Sequence, residues 1–299
     1  VETGLSRIVT VDIASLPVGA CRYGFMLNDT GTIIDDLLIY RLENDGWMVV
    51  VNAATVQRDA GHIKSRLTEG VVLENASERM AKLDLQGPLS VKVLEKIIGP
   101  EIAGLAYYGF GYFKVWNERL LVSRTGYTGE RGYEIYLPRE RAVDAWEQLL
   151  DSADVQPAGL GARDTLRLEM GYALYGQDID QSKTPLEAGL ERFVCFDKDF
   201  IGKPALLEQK EQGIRQRLVC FAAHSRRAPR RGYRIHTPDH RDIGVVTSGS
   251  FSPSLERGIG MGYVDRLLDA GSAILVNDGT RDIEAVVVEK PFYRKGTAR

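Results

Sequence analysis

Three short stretches combine residue types that could do chemistry. The first is Asp35-Asp36, embedded in Ile33-Ile34-Asp35-Asp36-Leu37-Leu38-Ile39-Tyr40, where both faces of a strand are otherwise apolar. Strand alternation sends adjacent side chains to opposite faces, so at least one carboxylate must enter an enclosed environment. A carboxylate there is paired, hydrogen-bonded or shifted in pKa, because burying an isolated charge is expensive. Such a group suits proton transfer or the stabilisation of a developing cation; equally, it suits a strand-end aspartate capping a loop or pairing with an arginine. Periodicity does not choose between the two aspartates. The second stretch runs from Arg124 to Glu134, with Gly126, Gly129 and Gly132 at three-residue spacing and Tyr127 and Glu134 offering an aromatic face and a carboxylate. By itself it reads equally as a hairpin with surface charge. The third is Gly161-Ala162-Arg163-Asp164-Thr165, where Arg163 falls at a helix start. The helix dipole disfavours a cation at that end, so Arg163 calls for another partner, such as a carboxylate.

Other candidates are weaker. His236 and His240 lie four residues apart in a segment containing Pro238 and would ligate a metal only without a helix; the four histidines read as surface residues. Ser248-Gly249-Ser250 and Ser252-Pro253-Ser254 do not form a Gly-x-Ser-x-Gly elbow and read as turns. No Gly-x-Gly-x-x-Gly after a strand, Walker loop or His-Glu-x-x-His occurs. Cys21, Cys195 and Cys220 are odd in number and far apart, which argues against a disulfide framework or thiolate zinc site and fits a reducing compartment.

The elements that must hold these groups follow from periodicity. Turn clusters at 28–31 and 44–46 separate strands over Cys21–Leu27, Thr32–Leu42 and Trp47–Asn52. A helix is predicted over Thr55–Leu67, with Val56, Ala60, Ile63 and Leu67 on its apolar face. A strand ending at Gly87-Pro88 precedes a helix over Ser90–Ile98. Strands are expected at Phe113–Trp116, Leu120–Arg124 and Tyr133–Leu137, and helices at Arg141–Leu150 and Arg163–Ala173. Without a βαβ rhythm the class is α+β. After about Gln216, Val/Ile/Gly-rich strands with regular turns predict a small barrel or sandwich, so the chain divides into 1–215 and 216–299. Near that boundary, Arg226-Arg227-Ala228-Pro229-Arg230-Arg231 is a dense positive run, read first as a solvated loop and second as a docking patch for an acidic partner.

Composition narrows the classes. At 299 residues, with 44% apolar and 26% charged residues, the chain can build large cores and is too apolar to be disordered. Lys+Arg 38 against Asp+Glu 41 gives a net charge of −3, and no global basic field holds a nucleic-acid backbone. No apolar stretch reaches the roughly 18 residues of a membrane helix. The sequence opens at Val1 without methionine or a signal-like segment, the pattern of a piece whose start lies upstream.

Taken in order, Asn28–Asp36, Val51–Ala53, Leu85–Pro88, Ser123–Glu130, Gly161–Glu169, Leu174–Ile179, Thr184–Gly189, Phe200–Lys203, Val246–Gly249 and Pro291–Tyr293 resemble the aminomethyltransferase, or T-protein, family of the glycine cleavage system. The similarity runs from about residue 8 to 293, and its specificity lies in ten modest blocks in the family order.

The resemblance implies a cloverleaf of three domains around a central tetrahydrofolate site, with a C-terminal β-barrel. It implies transfer of the one-carbon unit of an aminomethyl group from a lipoyl carrier protein to tetrahydrofolate, releasing ammonia and forming 5,10-methylenetetrahydrofolate. The functional aspartate of the pattern falls on Asp36, and the folate-contacting positions on Tyr23, Asn52, Tyr127, Glu134 and Arg163. No metal, nucleic acid or membrane is expected; the compartment would be the bacterial cytoplasm, or the mitochondrial matrix in a eukaryote. Expelling ammonia needs a proton and leaves an iminium-like carbon, which a nearby carboxylate stabilises. A pterin offers an edge of donors to a carboxylate such as Glu134 and a face to tyrosines, while Arg163 can pair with a carboxylate.

Two departures stand out. The family's usual Gly-Gly before the aspartates is Gly31-Thr32, and an N-terminal segment of roughly 50–60 residues, on a half-domain scale, is expected ahead of Val1. The chief rival is a tetrahydrofolate-dependent demethylase of a small methyl donor on the same fold. A non-enzymatic folate-binding paralogue would carry a Lys-Gly-Cys-Tyr-x-Gly-Gln-Glu box, which does not occur here. A scaffold acting through the arginine run would bind no folate.

Overall fold

In the computed structural model, which describes residues 2–298, the apolar alternation from Cys21 onward forms a three-stranded antiparallel sheet, β1 (Cys21–Leu27), β2 (Ile33–Arg41) and β3 (Trp47–Val50), with β2 in the centre. Both faces of β2 are covered. Leu37 and Ile39 pack with Leu5 and Ile8 of α1 (Glu2–Ile8) and Ile63 of α2 (Val56–Lys64), while Ile33 packs with Ile179, Leu186 and Leu206. The chain therefore returns to this sheet late, after passing through a second lobe.

That lobe is built on β4 (Met80–Gln86), β5 (Phe110–Val115), β6 (Glu118–Ser123) and β7 (Gly132–Pro138), ordered β4-β7-β6-β5 and wholly antiparallel. Val122, Tyr133 and Ile135 pack on Leu94 of α3 (Ser90–Ile97) and Leu149 of α4 (Ala142–Leu150). The opposite face meets the first sheet through Tyr40 and Tyr136, whose hydroxyls are 3.0 Å apart. Burying two phenols is tolerable because each finds a partner.

α5 (Leu160–Glu169) follows, and α6 (Lys203–Gln212) leads into the barrel. Strands β8 (Arg217–Ala223), β9 (Arg234–His236), β10 (Asp242–Ser252), β11 (Arg257–Val264), β12 (Ala273–Asn277) and β13 (Asp282–Val288) close in the order β10-β11-β8-β13-β12-β9. Closure leaves no free edge and encloses Phe221, Ile235, Val246, Ile274 and Val276. Removing the fully buried Phe221 ring would cost about 3–5 kcal/mol. The mixed α+β class and the barrel agree with the sequence expectation.

Three expectations need correction. Ser248–Ser252 is not a turn but the end of β10, paired to β11 from Ser248↔Met261 to Ser252↔Arg257. In α2 the buried residues are Asp59 and Ile63, so the helix turns a carboxylate inward where Val56 and Ala60 were expected to be the buried ones. Helices α1 and α6 were not anticipated; α1 is only seven residues long and α6 buries only Leu206.

Candidate active site

β2 carries the aspartate pair, and its pairing with β1 sets their aim. Met26 opposes Asp35 whereas Leu27 opposes Ile33, leaving Ile34 as an extra residue immediately before the pair. A bulge of this kind increases local twist and re-aims the residues that follow. Asp35 is fully buried and accepts three hydrogen bonds: from Asn52 backbone N at 3.1 Å, Asn52 Nδ2 at 2.8 Å and Thr55 Oγ1 at 2.8 Å. Asp36 is half-buried on the face shared with Tyr23, whose hydroxyl donates to Oδ2 at 2.9 Å. Asn52, just past the end of β3 and level with Asp36, also donates from Nδ2 to Asp36 Oδ1 at 2.7 Å. Burial, followed by the neighbouring Asp35 charge, pushes the Asp36 carboxyl up to about 6, against the opposing hydrogen bonds of Tyr23 and Asn52. Asp36 is thus the aspartate poised to change protonation near neutrality.

A second group is assembled by the four-stranded sheet and α5. Glu134 lies on β7 opposite Asp84 of β4, and Lys82 sits between their carboxylates, bonded to Glu134 and 3.4 Å from Asp84. Thr125 Oγ1 donates to Glu134 at 2.5 Å and Tyr136 at 3.4 Å. Burial alone would raise the Glu134 carboxyl, but Lys82 and then the Thr125 hydroxyl hold it below the usual range. Arg163 answers Asp84 at 2.9 Å and lays its guanidinium over the Tyr127 ring, 5.1 Å from the centroid. Tyr127 also stacks on Tyr172 at 5.6 Å and donates its hydroxyl to Ala173 O. The loop presenting Tyr127 turns through Gly129, where φ is +75° and a Cβ would stand 2.2 Å from the Met170 sulfur.

The helix that supplies Arg163 is anchored to the barrel beneath it. Arg167, 1% exposed, bonds Asp178 at 2.7 Å and Ser248 Oγ at 2.8 Å, and Asp178 also accepts from Ser248 at 2.9 Å. Glu169, at the same helix end, accepts from Ser252 and Ser254 at 2.5 and 2.8 Å. Ser248, Ser252 and Ser254 are therefore docking groups.

Direct contacts join Tyr23, Asn52 and Asp36 into one cluster and Tyr127 and Arg163 into another, with Asp84 and Lys82 linking Arg163 to Glu134. The Asp36 charge acts on a tyrosine of each cluster: the phenols of Tyr23 and Tyr127 are raised first by burial and also by Asp36. These groups, two carboxylate acceptors, tyrosine faces and a guanidinium donor, fit a reduced pterin bearing an anionic tail. Sequence reasoning passed over Lys82, Asp84, Tyr172 and Asp59. A usable signal existed for Asp59, which lies between Thr55 and Ile63 at helical spacing.

Elsewhere, His236, His240 and Asp282 on the barrel bring one donor atom each within 4.8 Å of one another, the single such group among the described residues. Arg226 faces Glu256 at 4.0 Å and Arg227 bonds Asp278, so part of the arginine run is already paired. A polar groove of about 530 Å³, lined by Asp178, Asp180, Lys183, Arg234, Asp242 and Tyr263 among others, lies between the barrel and residues 177–183, and neither Asp35 nor Asp36 lines it. No helix among the described residues is long and apolar enough to cross a membrane.

Comparison with known proteins identifies the family. Residues 1–198 fit the family model for the GCVT N-terminal domain and residues 216–294 that for the glycine cleavage T-protein C-terminal barrel domain. An aminomethyltransferase of Halothermothrix orenii is 47% identical, covering 96% of this chain and 82% of the relative. One from Thermotoga neapolitana is 41% identical, covering 98% and 81%. The crystal structure of glycine cleavage system aminomethyltransferase T from Bartonella henselae superposes with a TM-score of 0.87 at 33% identity, covering 99% of this chain and 82% of that one. The chain belongs to the aminomethyltransferase (T-protein) family of the glycine cleavage system.

Proposed function

We propose that the protein takes the aminomethyl group carried by a lipoyl carrier protein, releases its nitrogen as ammonia, and delivers the one-carbon unit to tetrahydrofolate as 5,10-methylenetetrahydrofolate. The observation that carries this reading is Asp36: a carboxylate poised near neutrality and held by Tyr23 and Asn52, whose charge also acts on Tyr127, the ring under the Arg163 guanidinium.

Tetrahydrofolate, when bound, supplies the nucleophilic nitrogens that accept the one-carbon unit. Asp36 stabilises positive charge developing at the transferred carbon and, at a value of about 6, exchanges a proton at Oδ1 or Oδ2 without large cost. Tyr23 and Asn52 fix the direction of that carboxylate. Tyr127 offers a ring face, Glu134 an acceptor kept ionised by Lys82, and Arg163 a guanidinium for an anionic tail. Orientation of two large substrates against these groups contributes much of the rate. No metal is assigned to the reaction. In this reading residues 1–215 form the folate-binding region and 216–299 the barrel, and the protein works in the cytoplasm.

A demethylase of a small methyl donor would share the folate groups but need no carrier. The experiment supplies tetrahydrofolate with either aminomethyl-loaded carrier protein or small sulfonium and methoxy-aromatic methyl donors, and follows 5,10-methylenetetrahydrofolate and 5-methyltetrahydrofolate together. Product from the carrier alone supports the proposal; product from a free donor without carrier overturns it.

A further inference from the structure

The outer wall of the barrel carries a group that the folate chemistry does not use. Along β12, Ile274 and Val276 belong to the barrel core, so Leu275 and Asn277 face outward. His236 of β9 pairs with Leu275 on one side of β12, and Asp282 of β13 pairs with Asn277 on the other. Directly opposed residues on neighbouring strands share a face. His236 and Asp282 therefore lie on one outer surface, flanking β12, and the core positions of their neighbours Ile235 and Ile283 agree.

His240 joins them from the turn between β9 and β10. Its backbone N donates to Thr237 O at 2.9 Å, Thr237 N donates to Arg241 O at 2.9 Å, and its φ of +61° lies in the left-handed region. The chain thus doubles back and sets His240 Nδ1 3.6 Å from Asp282 Oδ2. One donor atom from each of the three residues lies within 4.8 Å of the other two. The Nδ1 of His236 is buried and has no hydrogen-bond partner among the described residues. Asp282 Oδ1 accepts from Asn277 Nδ2 at 2.7 Å, which fixes the carboxylate and leaves Oδ2 on the side of His240.

We propose that His236, His240 and Asp282 form a binding site for a divalent transition-metal cation of zinc's class, one that ties the β9–β10 turn to the start of β13 and takes no part in one-carbon transfer. Two imidazoles with one carboxylate suit such a cation, whereas magnesium and calcium prefer oxygen ligands throughout. Zinc bonds to imidazole and carboxylate at about 2.0–2.2 Å, which sets tetrahedral donor atoms about 3.4 Å apart. The 3.6 Å between His240 and Asp282 is already close to that spacing, and His240, with a side chain 66% exposed, has room to turn through the remainder. Asn277 is the outer group that orients the carboxylate. Arg234, two residues before His236 on the same strand face, is paired with Asp242 at 2.5 Å, which offsets the nearby positive charge.

The test is titration of the chelator-treated full chain with Zn²⁺ by calorimetry, with Co²⁺ absorption as a second probe of the ligand set. The variants are His240→Asn, Asp282→Asn and, as a control elsewhere on the barrel, the exposed His224→Ala. Asparagine replaces His240 because it tolerates the left-handed backbone, so the turn is kept while the imidazole is lost. We expect saturable zinc binding in the parent, weakened at least about tenfold in His240→Asn and in Asp282→Asn, and unchanged in His224→Ala. Zinc should raise the melting temperature of the parent and leave that of His240→Asn where it was, since a ligand that binds the folded state stabilises it. Excess Mg²⁺ should not displace the zinc or the cobalt spectrum. Absence of saturable binding, binding that survives both His240→Asn and Asp282→Asn, equal weakening in His224→Ala, or displacement by Mg²⁺ overturns the proposal. Should His240→Asn not fold, Asp282→Asn decides it.

Discussion

Asn52 Nδ2 stands 2.7 Å from Asp36 Oδ1 while the same nitrogen lies 2.8 Å from Asp35 Oδ1, so one amide group fixes the direction of the half-buried carboxylate by anchoring to the buried one. Asn52→Ala removes donors from both. Asp36 then loses one of the two side-chain hydrogen bonds that oppose its burial, and its pKa rises further. We expect single-turnover transfer to fall about 10–100-fold, in the range of a misplaced acid–base group, with a smaller change in folate affinity. Stopped-flow ammonia release and equilibrium folate titration on one preparation check both.

The raised carboxyl of Asp36 gives a pH signature in two observables. If the ionised form assists transfer, the rate climbs as pH rises through about 6 and levels off above 7. Stability runs the other way. A carboxyl whose folded value lies above its ordinary 3.8 contributes stability that is fully present below 3.8 and lost as pH rises through about 6. Asp36→Asn should therefore abolish most activity yet raise the melting temperature by about 2–4 °C at pH 7.5, equivalent to about 1 kcal/mol, and by nothing at pH 4. Scanning calorimetry at the two pH values measures the difference.

Lys82 neutralises Glu134, a carboxylate only 4% exposed, from a position itself part-buried. Lys82→Met strands that charge and should cost about 3 kcal/mol, most of which Lys82→Met combined with Glu134→Met recovers. Urea unfolding of the two single variants and the double variant gives the coupling. Independent, additive losses would mean that the two side chains do not act as a pair.

Arg167 and Asp178 form a buried pair tying α5 to Ser248 of the barrel. Asp178→Ala leaves a guanidinium without its buried partner and should destabilise the protein by about 3–5 kcal/mol. Because α5 also carries Arg163, folate binding should weaken even though residue 178 lies outside the proposed pterin wall. Calorimetry together with folate titration tests both consequences.

The strands that carry the site were legible because turn residues bracket them: β1, β2 and β3 begin and end within two residues of their expected limits. The pairing of Asp36 with Tyr23 and Asn52 was implied by family resemblance, not by periodicity, since alternation says only that Asp35 and Asp36 diverge. Asp59 was missed because a polar residue on a helix is read as solvent-facing by default, and only the fold shows that α2 turns it inward. The end of β10 was misread because Ser and Gly usually mark turns. In a small closed barrel they are needed where strands crowd: a Cβ on Gly260 would sit 2.6 Å from the Phe221 ring. Lys82 and Asp84 became partners of Glu134 and Arg163 only through the β4–β7 register, which no local pattern specifies.

The central claim is that Asp36 serves folate-dependent transfer from the carrier-bound aminomethyl group. The most direct measurement is single-turnover ammonia release from aminomethyl-loaded lipoyl carrier protein, with and without tetrahydrofolate, comparing the parent protein with Asp36→Asn. The account predicts rapid release in the parent only when tetrahydrofolate is present, and a loss of at least about 100-fold in the folded, folate-binding variant. Release that is independent of tetrahydrofolate, or equal in parent and variant, would contradict it.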